Sequence, residues 1–289
     1  YRSDRDFLFS YFVLVKEKSP AEIFFFYLPK IKFSKMNHLF SIKKSFLFSF
    51  IILTSYFLVS FHIKNKEQTA SYKTKKVLIF SKTNGFRHES IPAGIVAIKK
   101  LGQENHFIVD ATEDSLAINS KNLKQYQAVI FLSASGNVLD KNQKLALQKF
   151  IENGNGFVGI HSATNCEPDW SWYTQMIGGI FEGHPQPQNA KLIIVDHEHP
   201  STKHLPAIWE RKDEWYNFKY LNPNVNVLIK IDESSYKGGK HGDNHPLAWY
   251  HEYDGGRVFY TALGHSPESY SDPLFVQHLL GGIIYAISR

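Results

Sequence analysis

Short apolar runs alternate with helical patterns along the middle of this chain, and this alternation restricts the fold more than any other feature. The runs are rich in β-branched and aromatic residues, as strands buried on both faces are. Two patterns with apolar residues at helical spacing separate them, one opened by Ser90 and Pro92 and one by a capping box of Asp140 and Gln143. Right-handed crossovers between such units build a parallel sheet, so we predict an α/β fold. The predicted strands are Val77–Ser81, Phe107–Ala111, Ala128–Leu132 and Phe157–Ile160.

The pattern changes after Ala190, where strand-like runs dominate. Asp254-Gly255-Gly256 is a hairpin signal between two of these runs, and Pro273 opens a last helix with apolar residues at helical spacing. We therefore predict a β-rich insertion, then a closing strand and helix, in a single domain over residues 76–289. The runs are Lys191–Val195, Val227–Ile231, Pro246–Tyr253 and Arg257–Leu263.

The segment before this domain has the order of an export signal. Met36–Ser45 carries two lysines, an apolar run of 16 residues follows at 46–61, and polar residues come next. That length lies between a signal-peptide core and a full membrane span, so for residues 36–75 a cleaved signal peptide and an uncleaved membrane anchor both stay open. We interpret residues 1–35 as upstream translation included by mistake or as a disordered leader, the alternative being an extra membrane-associated segment. We expect an exported protein, periplasmic or anchored to the membrane and facing outwards.

The formal net charge of +6 belongs entirely to this leader. Residues 1–72 carry 11 Lys and Arg against 5 Asp and Glu, whereas residues 73–289 carry 22 of each. Because duplex binding relies on Lys and Arg that neutralise phosphates, no nucleic-acid partner is expected. Cys166 is the only cysteine. The domain must therefore be stable without an intramolecular disulfide, and we predict that Cys166 is a small buried residue.

Three histidines follow the ends of three predicted strands. His88, His161 and His265 come after the runs Val77–Ser81, Phe157–Ile160 and Val258–Leu263. In an open α/β sheet, ligands bind in the crevice outside the carboxyl ends of the strands. We therefore predict that the three imidazoles converge there as catalytic groups. Three histidines and a water would suit Zn²⁺ or another divalent metal, and metal-free general acid/base chemistry stays open.

The segment Gly159-Ile160-His161-Ser162-Ala163 has the pattern of a sharp strand-to-helix turn. In hydrolase folds such an elbow exposes a nucleophile at its centre. Here the central residue is a histidine, which suits a general base or a metal ligand. Ser162, next to it, is a predicted substrate contact.

A pair of carboxylates lies among aromatic residues in Asp213-Glu214-Trp215-Tyr216. Burial against rings would raise a carboxylate pKa and suit it to proton transfer, so Glu214 is a predicted catalytic group. Trp215 and Tyr216 are predicted to contact a sugar, because aromatic faces stack on its C–H face. The alternatives are that the carboxylates are surface charges and that the rings pack in the core.

Two further residues are candidates for binding substrate. Arg87 could clamp a carboxylate or hydroxyls, although it could equally be a solvated loop charge. Gly178–Pro185 offers Glu182 and His184, of which we favour His184. Its glycines lack the spacing of a phosphate loop, so no nucleotide cofactor is expected.

Five segments of the chain, in the right order, resemble the trehalose-utilisation (ThuA-like) family. That family is similar in fold to the class I glutamine amidotransferases, so the resemblance implies a flavodoxin-like three-layer sandwich with a mostly parallel sheet. Their catalytic cysteine is replaced here by His161, while His265-Ser266-Pro267-Glu268 matches their late His-Pro-Glu. Glutamine hydrolysis is therefore not expected. The segments are Thr83–His88, Gly154–Ala163, Gly178–Pro185, Asp213–Tyr216 and Pro246–His265.

The family name implies a small-molecule carbohydrate as the partner. Our first hypothesis is an exported enzyme that hydrolyses, eliminates or isomerises a glycoside or keto-sugar through the histidine cluster. The second is a non-catalytic sugar-binding protein of the cell envelope. The third is a scaffold protein that has lost its chemistry, in which the histidines would be dispersed. The oligomeric state is left open.

Overall fold

The elements of the folded domain follow the apolar runs of the sequence. A computed structural model describes residues 74–288. Its strands are β1 (Lys76–Phe80), β2 (Ile108–Thr112), β3 (Ala128–Leu132), β4 (Gly156–Ile160), β5 (Gly179–Gly183), β6 (Gln188–Ile194), β7 (Ile208–Asp213), β8 (Asn217–Leu221), β9 (Asn226–Ile231), β10 (Pro246–Tyr253) and β11 (Gly256–Thr261). Its α-helices are α1 (Ile91–Glu104), α2 (Ser120–Leu123), α3 (Lys141–Glu152), α4 (Ser171–Ile177) and α5 (Pro273–Ile287).

Nine of these strands form one sheet, in the order β2-β1-β3-β4-β11-β10-β9-β6-β7. The five strands from β2 to β11 run parallel to one another. Every residue of β3 and β4 is buried, which requires cover on both faces of the sheet. The architecture is therefore the predicted flavodoxin-like three-layer α/β sandwich.

The remaining strands form the predicted β-rich part. From β11 onwards the sheet continues through antiparallel neighbours to β7, and β5 pairs with β8 in a separate two-stranded sheet. The sequence patterns did not predict the strands β5, β7 and β8 or the helices α2 and α4. Strand β7 was not predicted because Arg211 and Asp213 lie on its inward face with Trp209. Its sequence therefore lacks the alternation of apolar and polar residues that marks a half-buried strand.

Several local predictions are confirmed. Asp140 and Gln143 form the capping box of α3, and Asp254-Gly255 is the turn between β10 and β11. Cys166 is fully buried. The predicted leader and its apolar run at 46–61 lie outside the described residues. Within 74–288, no helix combines the length and apolarity needed to cross a membrane.

The core below the carboxyl ends of the parallel strands is aromatic. Phe131 lies between Phe80 and Phe157, with ring centroids 5.0 and 5.1 Å apart, and all three rings are fully buried. Burial of a side chain of this size stabilises a fold by about 1.5–3 kcal/mol. These rings give the loops above them a rigid base.

Helix α5 packs so closely on β4 that only glycine fits at the first position of the strand. A Cβ on Gly156 would lie 2.7 Å from the carbonyl carbon of Ala286 in that helix. Backbone cannot yield as a flexible side chain can, so an added methyl must push the helix away from the strand.

We expect Gly156→Ala to lower the free energy of unfolding by about 1–3 kcal/mol, the usual cost of overpacking. Gly183→Ala is the matched control, because a Cβ there has no atom within 4 Å. Urea denaturation of both variants measures the difference. Equal stabilities would contradict the close helix–strand packing described here.

Candidate active site

Four of the predicted catalytic side chains meet at one place. His88 lies in the loop after β1, His161 directly follows β4, and His265 follows β11 by four residues. Glu214 directly follows β7. One nitrogen or carboxylate oxygen from each of the four lies within 4.8 Å of those of the others. The cluster therefore occupies the crevice where an α/β sheet binds its ligands.

The distances within this cluster are short. Nε2 of His161 lies 3.0 Å from Nε2 of His88 and 3.3 Å from Oε2 of Glu214. That same oxygen lies 3.3 Å from Nδ1 of His265 and 4.0 Å from Nε2 of His88. These separations contradict the dispersed histidines expected of a scaffold protein.

The turn at His161 is the predicted elbow. His161 has a φ of 54°, a left-handed conformation that costs a non-glycine residue about 1–3 kcal/mol. The hydroxyl of Tyr260 donates to the carbonyl oxygen of His161 at 2.9 Å and so helps to hold this backbone. The strain is stored at the residue that occupies the centre of the cluster.

The protonation of the His161 ring follows from its partners. Its Nδ1 lies 2.7 Å from the carbonyl oxygen of Ala262, which can only accept, so Nδ1 carries the hydrogen. The hydroxyl of Tyr216 donates to Nε2 at 2.8 Å. In this tautomer, the electron pair of Nε2 faces the cluster and accepts the Tyr216 hydrogen bond.

Glu214 connects the cluster to His184. While Oε2 faces His161 and His265, Oε1 lies 3.1 Å from Nδ1 of His184. Burial raises the pKa of this carboxyl, but the imidazoles of His161 and His265 outweigh burial and hold the pKa well below its usual range. The expectation of a raised pKa is therefore wrong. The aromatic surroundings predicted from the sequence are real, but the histidines dominate.

The other two histidines have opposite electrostatic environments. Burial, with His161 and His265 nearby, lowers the pKa of His88 to about 3, so this ring is neutral at physiological pH. The carboxylate of Glu214 raises the pKa of the His265 imidazole. The buried Nδ1 of His265 faces Oε2 of Glu214 at 3.3 Å, so this carboxylate is the charge partner of the ring.

Asp213 holds the two halves of the cluster together. Its carboxylate accepts from the backbone N–H groups of Glu214, Gly264 and His265 at 2.9, 3.0 and 3.1 Å. Arg211 donates to the same carboxylate at 3.0 Å. Gly264 has a φ of 108°, which an L side chain rarely adopts, and this turn presents His265 to Glu214.

Three of the predicted substrate contacts lie at the cluster. His184 and Tyr216 contact Glu214 and His161, as described above. Ser162 is buried and lies 3.5 Å from Nδ1 of His88 and 3.4 Å from the carbonyl oxygen of Ala134. Glu182, which we did not favour, is half-exposed and pairs with Lys240.

The other two predicted contacts lie elsewhere. Arg87 is exposed and forms two hydrogen bonds with Glu113, at 2.7 and 2.8 Å, so a carboxylate of the chain itself occupies the fork expected to bind a ligand. The Trp215 ring is fully buried, and its Nε1 donates to the carbonyl oxygen of Gln188. Trp215 is therefore a core residue and cannot stack on a sugar, which corrects our prediction.

Sequence reasoning missed the role of Asp213. It placed Asp213 and Glu214 together as one carboxylate pair, whereas the structure gives them different partners. The period-2 placement of Trp209, Arg211 and Asp213 was the available signal, because alternate residues of a strand share one face. This alternation places Asp213 on the buried face of β7, beside the positive charge of Arg211.

Comparisons with known proteins agree with this fold. A family model described as trehalose utilisation (ThuA) matches residues 76–286. A ThuA-like protein of known structure from Bacteroides uniformis is 26% identical with a TM-score of 0.64, and the match covers 77% of this chain and 95% of that one. For one from Parabacteroides merdae the values are 20%, 0.60, 75% and 91%. A cytoplasmic protein from Salmonella typhimurium shares the fold at 15% identity, with a TM-score of 0.53 and coverage of 74% and 98%. No curated protein matches the chain.

We expect Asp213→Asn to lower the free energy of unfolding by about 1–3 kcal/mol, because a neutral amide replaces the carboxylate that pairs with Arg211, which keeps only Asp272 at 3.5 Å. The amide resonances of Gly264 and His265 should shift in the same variant, since they lose a charged acceptor. Glu198→Gln, at an exposed carboxylate, is the control and should change stability by less than about 0.5 kcal/mol. Denaturant titration and amide NMR measure both effects. If Asp213→Asn changes the stability and the amide shifts no more than Glu198→Gln does, the Asp213 carboxylate does not hold Glu214 and His265 in place.

Proposed function

The chain belongs to the trehalose utilisation (ThuA) family, and we propose that it is an exported carbohydrate-processing enzyme. Its substrate would be a glycoside or keto-sugar, which it would hydrolyse, eliminate or isomerise. The observation that carries the proposal is the convergence of His88, His161, Glu214 and His265 within 4.8 Å. The family description supports a sugar substrate, and the cluster supports chemistry rather than binding alone.

We propose further that this cluster holds a divalent metal, with zinc the best fit. The donors are three imidazole nitrogens and one carboxylate oxygen, all of them common zinc ligands. Ligands about 2.0–2.1 Å from a tetrahedral zinc lie about 3.3 Å from one another. Four donor separations here are 3.0, 3.3, 3.3 and 4.0 Å. Bound there, zinc would supply Lewis acidity towards a substrate oxygen or a water.

The protonation states of His88 and Glu214 support this assignment. The pKa of His88 lies at about 3 and that of Glu214 well below its usual range, so a neutral ring and a carboxylate anion face each other. Nε2 of His161 carries no hydrogen because Nδ1 donates to Ala262, so its electron pair can bind a metal in place of the Tyr216 hydroxyl. Nδ1 of His265 faces Oε2 of Glu214 at 3.3 Å. A cation bound here would replace these contacts and the proton that Glu214 favours on His265.

Proton transfer is assigned to the residues around these donors. His184 is partly exposed, and its Nδ1 lies 3.1 Å from the second oxygen of Glu214. It can therefore exchange protons with solvent and with a sugar hydroxyl while the carboxylate orients its ring. The Tyr216 hydroxyl donates to His161 and would donate to a substrate oxygen that replaces this contact.

Glutamine hydrolysis is not part of this proposal. Position 161, where an amidotransferase has its nucleophile, holds an imidazole, and the thiol of Cys166 is fully buried. Burial also raises the pKa of that thiol well above its ordinary value, so it is protonated and a poor nucleophile.

The metal and the chemistry are tested together. We expect the purified protein to bind one zinc ion per chain. His161→Ala should weaken binding at least about 100-fold, since even outer partners of a zinc site contribute 10–100-fold. His197→Ala, at an exposed histidine, is the matched control and should bind as the wild type does. Zinc titration with a competing chelator measures this affinity.

Activity is measured on a panel of disaccharides and 3-keto-disaccharides. Turnover should disappear with a chelator and return with added metal. Turnover that persists in the presence of the chelator, together with no bound metal, would contradict the metal centre. Sugar affinity that survives in His88→Ala and His161→Ala, without turnover of any substrate, would instead identify a non-catalytic sugar-binding protein.

Export is proposed from the apolar run at 46–61 and the lysines before it. When the full chain is expressed in a bacterium, we expect the protein outside the cytoplasm. It would lack the leader if a signal peptidase cleaves it, and would fractionate with membranes if it does not. N-terminal sequencing distinguishes the two. Recovery of the uncleaved protein from the cytoplasm alone would contradict export.

A further inference from the structure

An exposed aromatic ring lies beside the cluster. Phe86 is 67% exposed, and its ring centroid lies 4.8 Å from that of His88 in an edge-to-face arrangement. His88 itself is buried and directly contacts His161. The ring therefore lies between solvent and a residue of the proposed catalytic cluster. None of the roles assigned above involves it.

The backbone around Phe86 is fixed on both sides. The N–H groups of Asn84 and Gly85 donate to the carbonyl oxygen of Ser135 at 2.8 and 3.3 Å. The Ser135 hydroxyl donates to the carbonyl oxygen of Phe86 at 2.8 Å. On the other side, Arg87 is held by its pair of hydrogen bonds to Glu113. A ring this large stays in solvent although its loop is well anchored, so its exposure is a property of the fold.

The groups next to Phe86 are polar and partly accessible. The ring of His88 lies 5.3 Å from that of His265, whose side chain is 28% exposed. His184 is 35% exposed and reaches the same cluster through Glu214. An apolar ring thus adjoins a cluster whose imidazoles reach solvent. This combination suits a molecule with one apolar face and a polar edge.

We infer that Phe86 is a stacking platform for a pyranose ring at the entrance of the site. A pyranose with mostly equatorial hydroxyls presents axial C–H bonds on its faces and hydroxyls around its edge. Its face would lie on Phe86, and its edge would point towards His265 and His184. The inference rests on the proposed carbohydrate function for the class of ligand. It transfers the stacking role predicted for Trp215 to a residue that is accessible.

The experiment compares sugar binding by Phe86→Ala, Phe86→Trp and the wild type. The probes are trehalose, and sorbitol as a polyol without a ring face. We expect Phe86→Ala to weaken trehalose binding about 10-fold, in line with about 1.4 kcal/mol of aromatic contact, and Phe86→Trp to retain it. In saturation-transfer NMR, the C–H protons of one face of trehalose should receive most of the transfer. Sorbitol binding should be the same in all three proteins.

Ile208→Ala is the matched control. Ile208 is exposed like Phe86, but it lies at the start of β7, about 16 Å along the strand from Asp213. It should bind trehalose as the wild type does. Equal affinity of Phe86→Ala and the wild type would overturn the inference, as would equal losses in Phe86→Ala and Ile208→Ala.

The outcomes separate this inference from the proposed function. If trehalose binds and depends on Phe86 but no turnover or metal is found, the platform is supported and the proposed catalysis fails. If zinc binds and turnover occurs while neither Phe86 variant changes the affinity for the sugar, the platform fails and the proposed function survives. A wild-type protein that binds zinc but no pyranoside also overturns the platform.

Discussion

The buried carboxylate of Asp213 makes the cluster possible. The parallel sheet brings the segments that carry His88 and His161 to the same edge, because β1 and β4 run parallel and end there. Glu214 follows β7, the last strand of the antiparallel extension, so the parallel part of the sheet does not place it at the cluster. Three backbone N–H groups converge on Asp213, two of them from the turn that carries His265. One charge thus positions both Glu214 and His265.

Much of this arrangement could be predicted from the sequence. The elements that were predicted are those whose buried positions carry mainly apolar side chains. Strands β3 and β10 were predicted to the residue because apolar side chains fill all the buried positions of β3 and all but that of His251 in β10. The histidines were predicted because each lies in the segment that follows such a strand. Strand β7 was not, because Arg211 and Asp213 fill its inward positions and pair with each other. Apolar periodicity cannot detect a face stabilised by an ion pair.

The pKa of Glu214 shows a second reason why a sequence is not enough. Aromatic neighbours in the chain suggested burial, and burial alone raises a carboxyl pKa. The pKa of Glu214 is lowered instead, because histidines from two distant segments lie 3.3 Å from one of its carboxylate oxygens. Trp215 shows the same dependence on tertiary context, since a ring adjacent to a site residue points into the core instead. Which neighbour dominates is decided by contacts between segments about 50 residues apart.

The elbow at His161 presents an imidazole at the carboxyl ends of the central strands. The strained backbone of the elbow places the side chain of residue 161 at the ends of the central strands. This placement does not depend on which side chain is there. A thiol there would need only a base beside it. An imidazole with its Nδ1 committed to Ala262 offers an electron pair, and that is useful where other donors converge on the same point. His88, Glu214 and His265 supply those donors, so the proposed metal site needs both the imidazole at the elbow and the cluster around it.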